Sequence, residues 1–415
     1  MTRMTVWWAG FGAVLGCSAF ALSRFVAPPP PRVVAAAAIA AVAPPPPPVP
    51  VVEPPPAKPS AETPTLVEVA EATTDRRVRA LASEMAKMWT RNPDELVVVI
   101  DDAARSTPSS PSVTMLLAIA HAETNGKILD VSEAGAVGLA QATPVAATQE
   151  GFDGKLFVTP DYLIGSRCYI MKKPLGDADT IASMLVDNDT PQRRKRARRL
   201  LESAKSLRRE GVDELELLER YATPVFFERI AAADRHNKEV LNRLGKLLDH
   251  GSRKELRDFR NEIRTEYRAL KQEQLASWRR YQLELAAKRD EMLVEHFKLD
   301  ASYVKKEMAY EASEYLGEHL DDRFSAKKMA AFLVRHLDRK SIEARKLASS
   351  ESDVEAMTAA LYNGGSHNVK RMLAGLIRTL PETQNYMQKV PATRRRLDGV
   401  IAGTALGADS MRTLR

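Results

Sequence analysis

The sequence has few cysteines and few aromatic residues, and each shortage excludes a class of protein. Only Cys17 and Cys168 occur among 415 residues, which argues against a disulfide framework. Neither has a second cysteine or a histidine at ligand spacing, so we expect no zinc site, and we predict no cofactor. Aromatic residues make up 6% of the chain and charged residues 28%. This balance predicts a mainly helical protein with few strands.

The N-terminus carries the longest apolar run, from Val6 to Leu22, preceded by Arg3. This pattern predicts a signal peptide or membrane anchor over residues 1–27. The segment Val14–Cys17 resembles a lipobox, which makes Cys17 a candidate for lipidation, while an uncleaved spanning helix and simple secretion stay open. In each case the body of the protein is exported to the periplasm or cell envelope.

Composition divides the rest of the chain. Runs of proline and alanine predict an extended tether, and a change to charged residues with little glycine or proline predicts long helices. The resulting segments are a Pro/Ala-rich linker at 28–63, an N-terminal helical segment at 64–97, globular helical segments at 98–186 and 306–392, a charged helical insertion at 187–305, and a basic C-terminal tail at 393–415.

The insertion has a coiled-coil-like pattern. Apolar residues from Leu256 to Met292 recur at spacings of three and four, and a second stripe spans Val240–Leu248. A turn at His250–Ser252 separates the two stripes. We therefore expect an antiparallel helical hairpin whose apolar seam is largely self-contained.

One glutamate occupies an unusual position for a charged residue. A helix is predicted over Val113–Ala122, with Ser110 as its cap, and Glu123 follows Leu116 and Ile119 by seven and four residues. Its carboxylate therefore shares the apolar face, which raises a carboxyl pKa as a general acid near neutral pH requires. The alternative is an ordinary helix-end glutamate whose carboxylate reaches solvent.

Three motifs in order give this glutamate a context. Glu123-Thr124 is followed by SEAGAVGLAQATP at 132–144, then by AALYNGG at 359–365 and LPETQNYMQKV at 380–390. Together they resemble the soluble lytic transglycosylase family, in which Glu-Ser precedes Gly-Leu-Met-Gln, Ala-Ala-Tyr-Asn-Ala-Gly and a closing Glu-Thr-x-x-Tyr. The resemblance covers roughly residues 98–170 and 306–392.

The resemblance implies a lysozyme-like (goose-type) helical domain, interrupted by the charged insertion. It implies cleavage of the bond between N-acetylmuramic acid and N-acetylglucosamine in peptidoglycan, with Glu123 as single acid and base and a 1,6-anhydro product. Thr124, Gln141, Tyr362 and Asn363 would bind substrate. Tyr362 would hydrogen-bond the acetamido group or the acid, Asn363 would support its loop, and Gln141 would line the sugar cleft.

The sequence departs from the family pattern near these residues. Thr124 replaces serine, Gly126 falls where an aromatic residue is common, Ala140 replaces methionine and Leu361 replaces alanine. Thr124 keeps a hydroxyl, but the other changes alter side chains beside the acid or in the cleft. We therefore expect the sugar contacts to differ from those of the family.

Two other functions stay open. Lysozyme-type hydrolysis would need a second carboxylate, for which Asp130, Glu133 and Asp153 are candidates. The insertion also allows an inactive, membrane-tethered scaffold that binds the cell wall. His121 lies two residues from Glu123 and so points away from it on the helix, which argues against a catalytic partnership.

The net charge of +7 favours an anionic partner. The expected partner is the peptidoglycan glycan strand, with anionic membrane or wall polymers as further candidates. The basic stretch Arg193–Arg209 includes Glu202, which favours a solvated helix face, and an exported protein rarely meets nucleic acid, so no nucleic-acid binding is expected. The sequence predicts no oligomeric state.

Overall fold

The computed structural model describes residues 66–89, 93–107, 111–152, 154–378 and 380–412. Within these ranges the chain forms α-helices and no strand, which confirms the mainly helical class. The helices are α1 (Leu66–Ala86), α2 (Asp94–Arg105), α3 (Val113–Thr124), α4 (Pro144–Gln149), α5 (Pro160–Asp187), α6 (Pro191–Glu216), α7 (Pro224–His250), α8 (Arg253–Phe297), α9 (Ala301–Glu307), α10 (Ala309–His319), α11 (Ala326–Leu347), α12 (Glu351–Leu373) and α13 (Pro381–Arg412).

The predicted anchor, the tether and Cys17 lie outside the described residues, as does Asp153. Of the helices just given, none is long and apolar enough to cross a membrane. Residues 63–415 belong to one compact unit.

Helix α3 lies at the centre of the larger core. The residues from Val113 to Ala120 are all buried, because α2, α11 and α13 pack around them. The Ser112 hydroxyl accepts a hydrogen bond from the Met115 amide and caps the helix, so the prediction of Ser110 as the cap is wrong. This packing buries α3 as far as Ala120 and leaves Glu123, near its C-terminal end, half-buried.

The first helices of the predicted insertion form a second core with α5. Leucines of α5, α6 and α7 pack there against Phe259 and Ile263 of α8. The turn between α7 and α8 lies at Gly251–Ser252, as predicted, and a capping box with Glu255 starts α8. The pair Arg243–Glu262 joins the two antiparallel helices at 2.8 Å.

The expectation that the insertion is self-contained is wrong, because α8 packs along α5 more extensively than along α7. At 45 residues, α8 extends for about 68 Å and reaches from the second core into the first. There Tyr281 is fully buried, and Gln282 donates a hydrogen bond of 2.9 Å to the Val131 carbonyl. Arg289 donates another, of 2.6 Å, to the Leu129 carbonyl.

The C-terminal boundary also differs from the prediction of a basic tail from residue 393. Helix α13 continues through this boundary without interruption, and Leu397 is fully buried in the first core. Asp398 accepts a hydrogen bond of 2.6 Å from the Thr114 hydroxyl of α3. The domain therefore extends beyond residue 392.

A test of the role of α8 compares two substitutions on that helix. Tyr281→Ala removes a fully buried ring and should destabilise the protein by about 3–5 kcal/mol. Leu283→Ala removes a side chain that is 59% exposed and should change stability by less than about 0.5 kcal/mol. Urea unfolding followed by circular dichroism measures both. Equal stabilities would show that this half of α8 is dispensable for the fold.

Candidate active site

A cleft of about 650 Å³ opens beside Glu123. Its walls come from the end of α3, the loop 132–143, and helices α4, α5, α6, α8, α11, α12 and α13. Gln141, Tyr362 and Asn363, which the sequence predicts to bind substrate, all line this cleft together with Glu123. Three distant motifs therefore meet at one site.

The Glu123 carboxyl has an environment suited to an acid and base. Burial raises its pKa and the nearby Glu382 carboxylate also raises it, so that the net value is about 7. The Tyr386 hydroxyl donates a hydrogen bond of 2.7 Å to Oε1 of Glu123, and this bond and the positive charge of Lys389 oppose the rise. Near neutral pH, Glu123 therefore exists in both protonation states and can donate or accept a proton.

Two tyrosines, Tyr362 and Tyr386, connect the loop 132–143 with Glu123. The Tyr362 hydroxyl donates a hydrogen bond of 2.8 Å to the Ala140 carbonyl, and the Tyr362 ring lies parallel to Tyr386 with centroids 6.4 Å apart. The hydrogen bond to the acid that the sequence assigns to Tyr362 thus comes from Tyr386. Tyr386 belongs to the third motif, at 380–390, and this motif is the sequence feature that could have identified it as a site residue.

Gln141 has an uncommon backbone conformation, with φ of 47°. A side chain in this left-handed region costs free energy and is typical of functional sites. Its Nε2 donates weak hydrogen bonds, of 3.3 Å and 3.4 Å, to the carbonyls of Gly138 and Asp130. On the opposite wall, Oδ1 of Asn363 accepts a hydrogen bond of 3.1 Å from the Thr383 hydroxyl.

The sequence predicts that Thr124 binds substrate, but the structure places it outside the cleft. This side chain is 7% exposed and does not line the cleft. Its hydroxyl donates to the Ala120 carbonyl at 2.9 Å and accepts from the Gly126 amide at 3.1 Å. Thr124 therefore closes the last turn of α3 and holds the chain that follows Glu123.

Arg323, which the sequence analysis did not single out, supports the loop 132–143 from behind. Its guanidinium is fully buried and donates hydrogen bonds to the carbonyls of Gly135 at 2.9 Å and Ala142 at 3.0 Å. It also donates to the Tyr281 hydroxyl at 2.9 Å and pairs with Asp321 at 2.7 Å. The fully satisfied guanidinium positions both ends of the loop.

The loop needs glycine where it contacts these groups. Gly135 and Gly138 have φ of 71° and 79°. A Cβ at Gly138 would lie 1.9 Å from the Arg323 carbonyl oxygen, and one at Gly135 would lie 2.1 Å from the Tyr281 ring. Close packing therefore accounts for both glycines of the motif.

The other acidic candidates differ in whether they line the cleft. Glu133 lines the cleft, whereas Asp130 does not. Two carboxyls that the sequence analysis did not foresee in the cleft, those of Glu214 and Glu382, also line it. Within the described ranges, histidine, cysteine and acidic side chains form no group of three or more that could hold a metal ion.

His121 lies outside the cleft, in keeping with the expectation that it is no partner of Glu123. Burial, with the positive charges of Lys389 and Arg396, lowers the pKa of His121 to about 4. Its ring is therefore neutral at physiological pH.

Comparison of the chain with family models, with curated proteins and with solved structures finds no match.

The glycine argument predicts a difference between two similar substitutions. Gly138→Ala and Gly151→Ala both place alanine at a φ near 78°, but a Cβ at Gly151 meets no atom within 4 Å. Gly138→Ala should therefore destabilise the protein by about 1–3 kcal/mol more than Gly151→Ala. Chemical denaturation of both variants gives this difference. If the two costs are equal, the contact with Arg323 does not constrain the loop.

The pKa of Glu123 should move in opposite directions in two variants. Tyr386→Phe removes the hydrogen bond that favours the carboxylate, so the pKa should rise above its value of about 7. Glu382→Gln removes a nearby negative charge, so the pKa should fall. Carbon-13 NMR titration of labelled glutamate side chains measures both shifts. A fall in the Tyr386→Phe variant would show that the hydroxyl stabilises the protonated acid instead.

Proposed function

We propose that this protein is a peptidoglycan lytic transglycosylase with a lysozyme-like catalytic domain, which cleaves the MurNAc-β-1,4-GlcNAc bond and leaves a 1,6-anhydro-MurNAc end. The observation that carries the proposal is the Glu123 carboxyl, which lines the cleft, has a pKa of about 7 and accepts a hydrogen bond from Tyr386. The three motifs that resemble the transglycosylase family all contribute residues to this cleft.

The reaction needs one group that first donates and then accepts a proton. Protonated Glu123 gives its proton to the bridging oxygen, and the bond between this oxygen and C1 of the muramyl residue breaks. The 2-acetamido group assists from the substrate. Ionised Glu123, stabilised by the Tyr386 hydroxyl, then removes the proton from the C6 hydroxyl, whose oxygen bonds to C1. Glu123 regains its proton and no water is consumed.

A hydrolase is the second candidate, because three further carboxyls line the cleft, those of Glu133, Glu214 and Glu382. Glycoside hydrolysis by two carboxyls requires a separation of about 5–9.5 Å, with the distance deciding retention or inversion. Both reactions use Glu123 as the acid, but hydrolysis produces a reducing end. The products therefore distinguish them.

The proposal extends to the location of the protein. The apolar N-terminus and the proline-rich segment are consistent with export and attachment to the membrane, where the tether would extend the catalytic domain towards the wall. Peptidoglycan is the proposed partner, and anionic membrane or wall polymers would interact with the net charge of +7.

The decisive experiment is digestion of purified sacculi followed by mass spectrometry of the released fragments. The wild-type protein should release muropeptides with anhydro ends, and Glu123→Gln should lower the rate by about 100- to 10,000-fold, the usual contribution of general acid-base catalysis. Glu239→Gln, on the exposed face of α7, serves as the matched control and should digest at the wild-type rate.

Stability at different pH values shows whether Glu123→Gln acts through the predicted group. The folded-state pKa is raised from 4.5 to about 7, so ionisation of Glu123 removes stability as pH rises through this window. Glu123→Gln should melt like the wild type below about pH 4.5 and at a higher temperature above about pH 7.

The fragments from the digestion of sacculi distinguish the alternatives. Fragments with reducing ends would support the hydrolase, and the absence of any release would support the inactive scaffold.

A further inference from the structure

Part of the cleft is built by α5, α6, α8 and α12 rather than by the three motifs. We call it the lysine pocket and define it by Lys173, Tyr169, Glu214, Trp278 and His367, all of which line the cleft. Glu214 and Trp278 belong to the insertion, so these two walls lie outside the segments that resemble the transglycosylase family.

Lys173 is a buried residue whose ammonium group forms no ion pair within 4.0 Å among the described residues, although the carboxylates of Asp177 and Glu214 lie near it. The residue is only 4% exposed, and its Nζ lies 4.2 Å from the centroid of the Tyr169 ring. Among the described residues it makes no side-chain hydrogen bond or ion pair. Its neighbour Lys172 bonds Gln274, and Lys340 bonds the Ser366 hydroxyl at 2.7 Å. An unpaired buried ammonium costs free energy unless a ligand or water satisfies it.

Glu214 is the complementary acidic group. In the described part of the chain it too makes no hydrogen bond or ion pair, while burial raises its pKa and the positive charges of Lys173 and Lys340 oppose this rise. Lys173 and Glu214 form no ion pair within 4.0 Å, and both line the same cleft. A ligand that carries charges of both signs can therefore contact both from within the cleft.

Two uncharged polar groups complete the lysine pocket. The Nε1 atom of Trp278 and the Nδ1 atom of His367 are buried and have no hydrogen-bond partner among the described residues. Burial, together with the charges of Lys173 and Arg371, lowers the pKa of His367 to about 2, so the ring stays neutral. Neither nitrogen is accessible from the cleft, because a Cβ at Gly165 would lie 2.6 Å from Nε1 of Trp278 and one at Gly211 would lie 3.8 Å from Nδ1 of His367. These two residues therefore shape the wall of the lysine pocket, and Lys173 and Glu214 supply its charges.

We propose that the lysine pocket binds a peptide that carries a carboxylate and an ammonium group, namely the stem peptide of the peptidoglycan glycan strand. This inference rests on the proposed function. The carboxylate would pair with Lys173 and the ammonium with Glu214, while the rings of Tyr169 and Trp278 would form the apolar wall beside the peptide. A simple anion would leave Glu214 unpaired, and a neutral sugar would leave both charges unpaired. A stem peptide with a free diamino acid has both groups.

This assignment gives the insertion a function in recognition. Helix α6 carries Glu214, and α8 carries Trp278, whose ring lies 5.2 Å from Tyr169. Gly165 of α5 makes room for the tryptophan, because a Cβ there would lie 2.2 Å from its ring. The insertion therefore adds a peptide-binding wall to a cleft whose acid is supplied by α3.

The test is isothermal titration calorimetry with soluble stem peptides, released from peptidoglycan by an amidase and free of sugar. Lys173→Met keeps the length of the side chain and should weaken binding at least tenfold. Lys172→Met is the matched control, since Lys172 lies beside the same tyrosine but outside the cleft, and should bind like the wild type. Amidation of the peptide carboxylates should weaken binding to the wild type at least tenfold. It should not change the affinity of the Lys173→Met variant.

The ammonium contact is tested with the peptide acetylated on the side-chain amine of its diamino acid, and both this peptide and its unmodified counterpart carry an acetylated N-terminus, because the N-terminal amine is an amide in the glycan strand. Acetylation should weaken binding to the wild type at least tenfold but should make no difference to Glu214→Gln, because the partner charge is then absent. Equal effects of acetylation on both proteins, or equal affinities of the Lys173→Met and Lys172→Met variants, would overturn the proposal. Sacculus digestion is scored separately, so peptide binding without cleavage would refute the proposed function alone.

Discussion

The candidate site depends on the buried ion pair between Arg323 and Asp321. Both side chains are fully buried, a placement that is unfavourable for charges unless their hydrogen-bonding capacity is used. Here the guanidinium donates to Asp321, to two carbonyls of the loop 132–143 and to the Tyr281 hydroxyl, which in turn donates to the Phe157 carbonyl at 2.8 Å. One cation therefore joins the loop, the long helix α8 and the segment before α11.

A series of contacts connects the Arg323 network with Glu123. Arg323 holds the loop, the Ala140 carbonyl of that loop accepts the Tyr362 hydroxyl, and Tyr362 stacks on Tyr386. Tyr386 then donates to Glu123. Because buried polar networks are rigid when every member is satisfied, Arg323 supports the cleft wall on which Tyr362 and Tyr386 lie.

The sequence predicts a contact of this site well when the two residues are close along the chain, and poorly when they are far apart. Glu123 and Gln141 belong to one continuous segment, where helix periodicity and a loop motif act locally, and both lie on the cleft as expected. Thr124 is predicted to bind substrate from its likeness to the serine of the family motif, which does not reveal that its hydroxyl bonds the backbone at the end of α3. The hydrogen bond from Tyr386 to Glu123 joins residues 263 positions apart, and no local pattern specifies such a contact.

The same limit explains the errors in the insertion. Its apolar spacing correctly predicts two long helices and the turn at Gly251–Ser252, because periodicity and capping are local properties. It does not identify the partner of an apolar face, and α8 packs mainly on α5. Lys173 and Glu214 likewise look like ordinary surface charges in the sequence. Only the packing of α5, α6 and α8 brings them into one cleft.

Opposing effects on one carboxyl connect the fold to the proposed chemistry. Burial and Glu382 raise the pKa of Glu123, whereas Tyr386 and Lys389 lower it, and the balance lies at about 7. A carboxyl with a much higher pKa would donate a proton poorly, and one with a much lower pKa would be ionised before reaction. Apart from Glu123 itself, the charges and the hydroxyl that set this balance belong to α13, the last helix of the chain. Glu123 of α3 therefore acquires its raised and balanced pKa only when the C-terminal helix packs against it, so the proposed chemistry depends on completion of the fold.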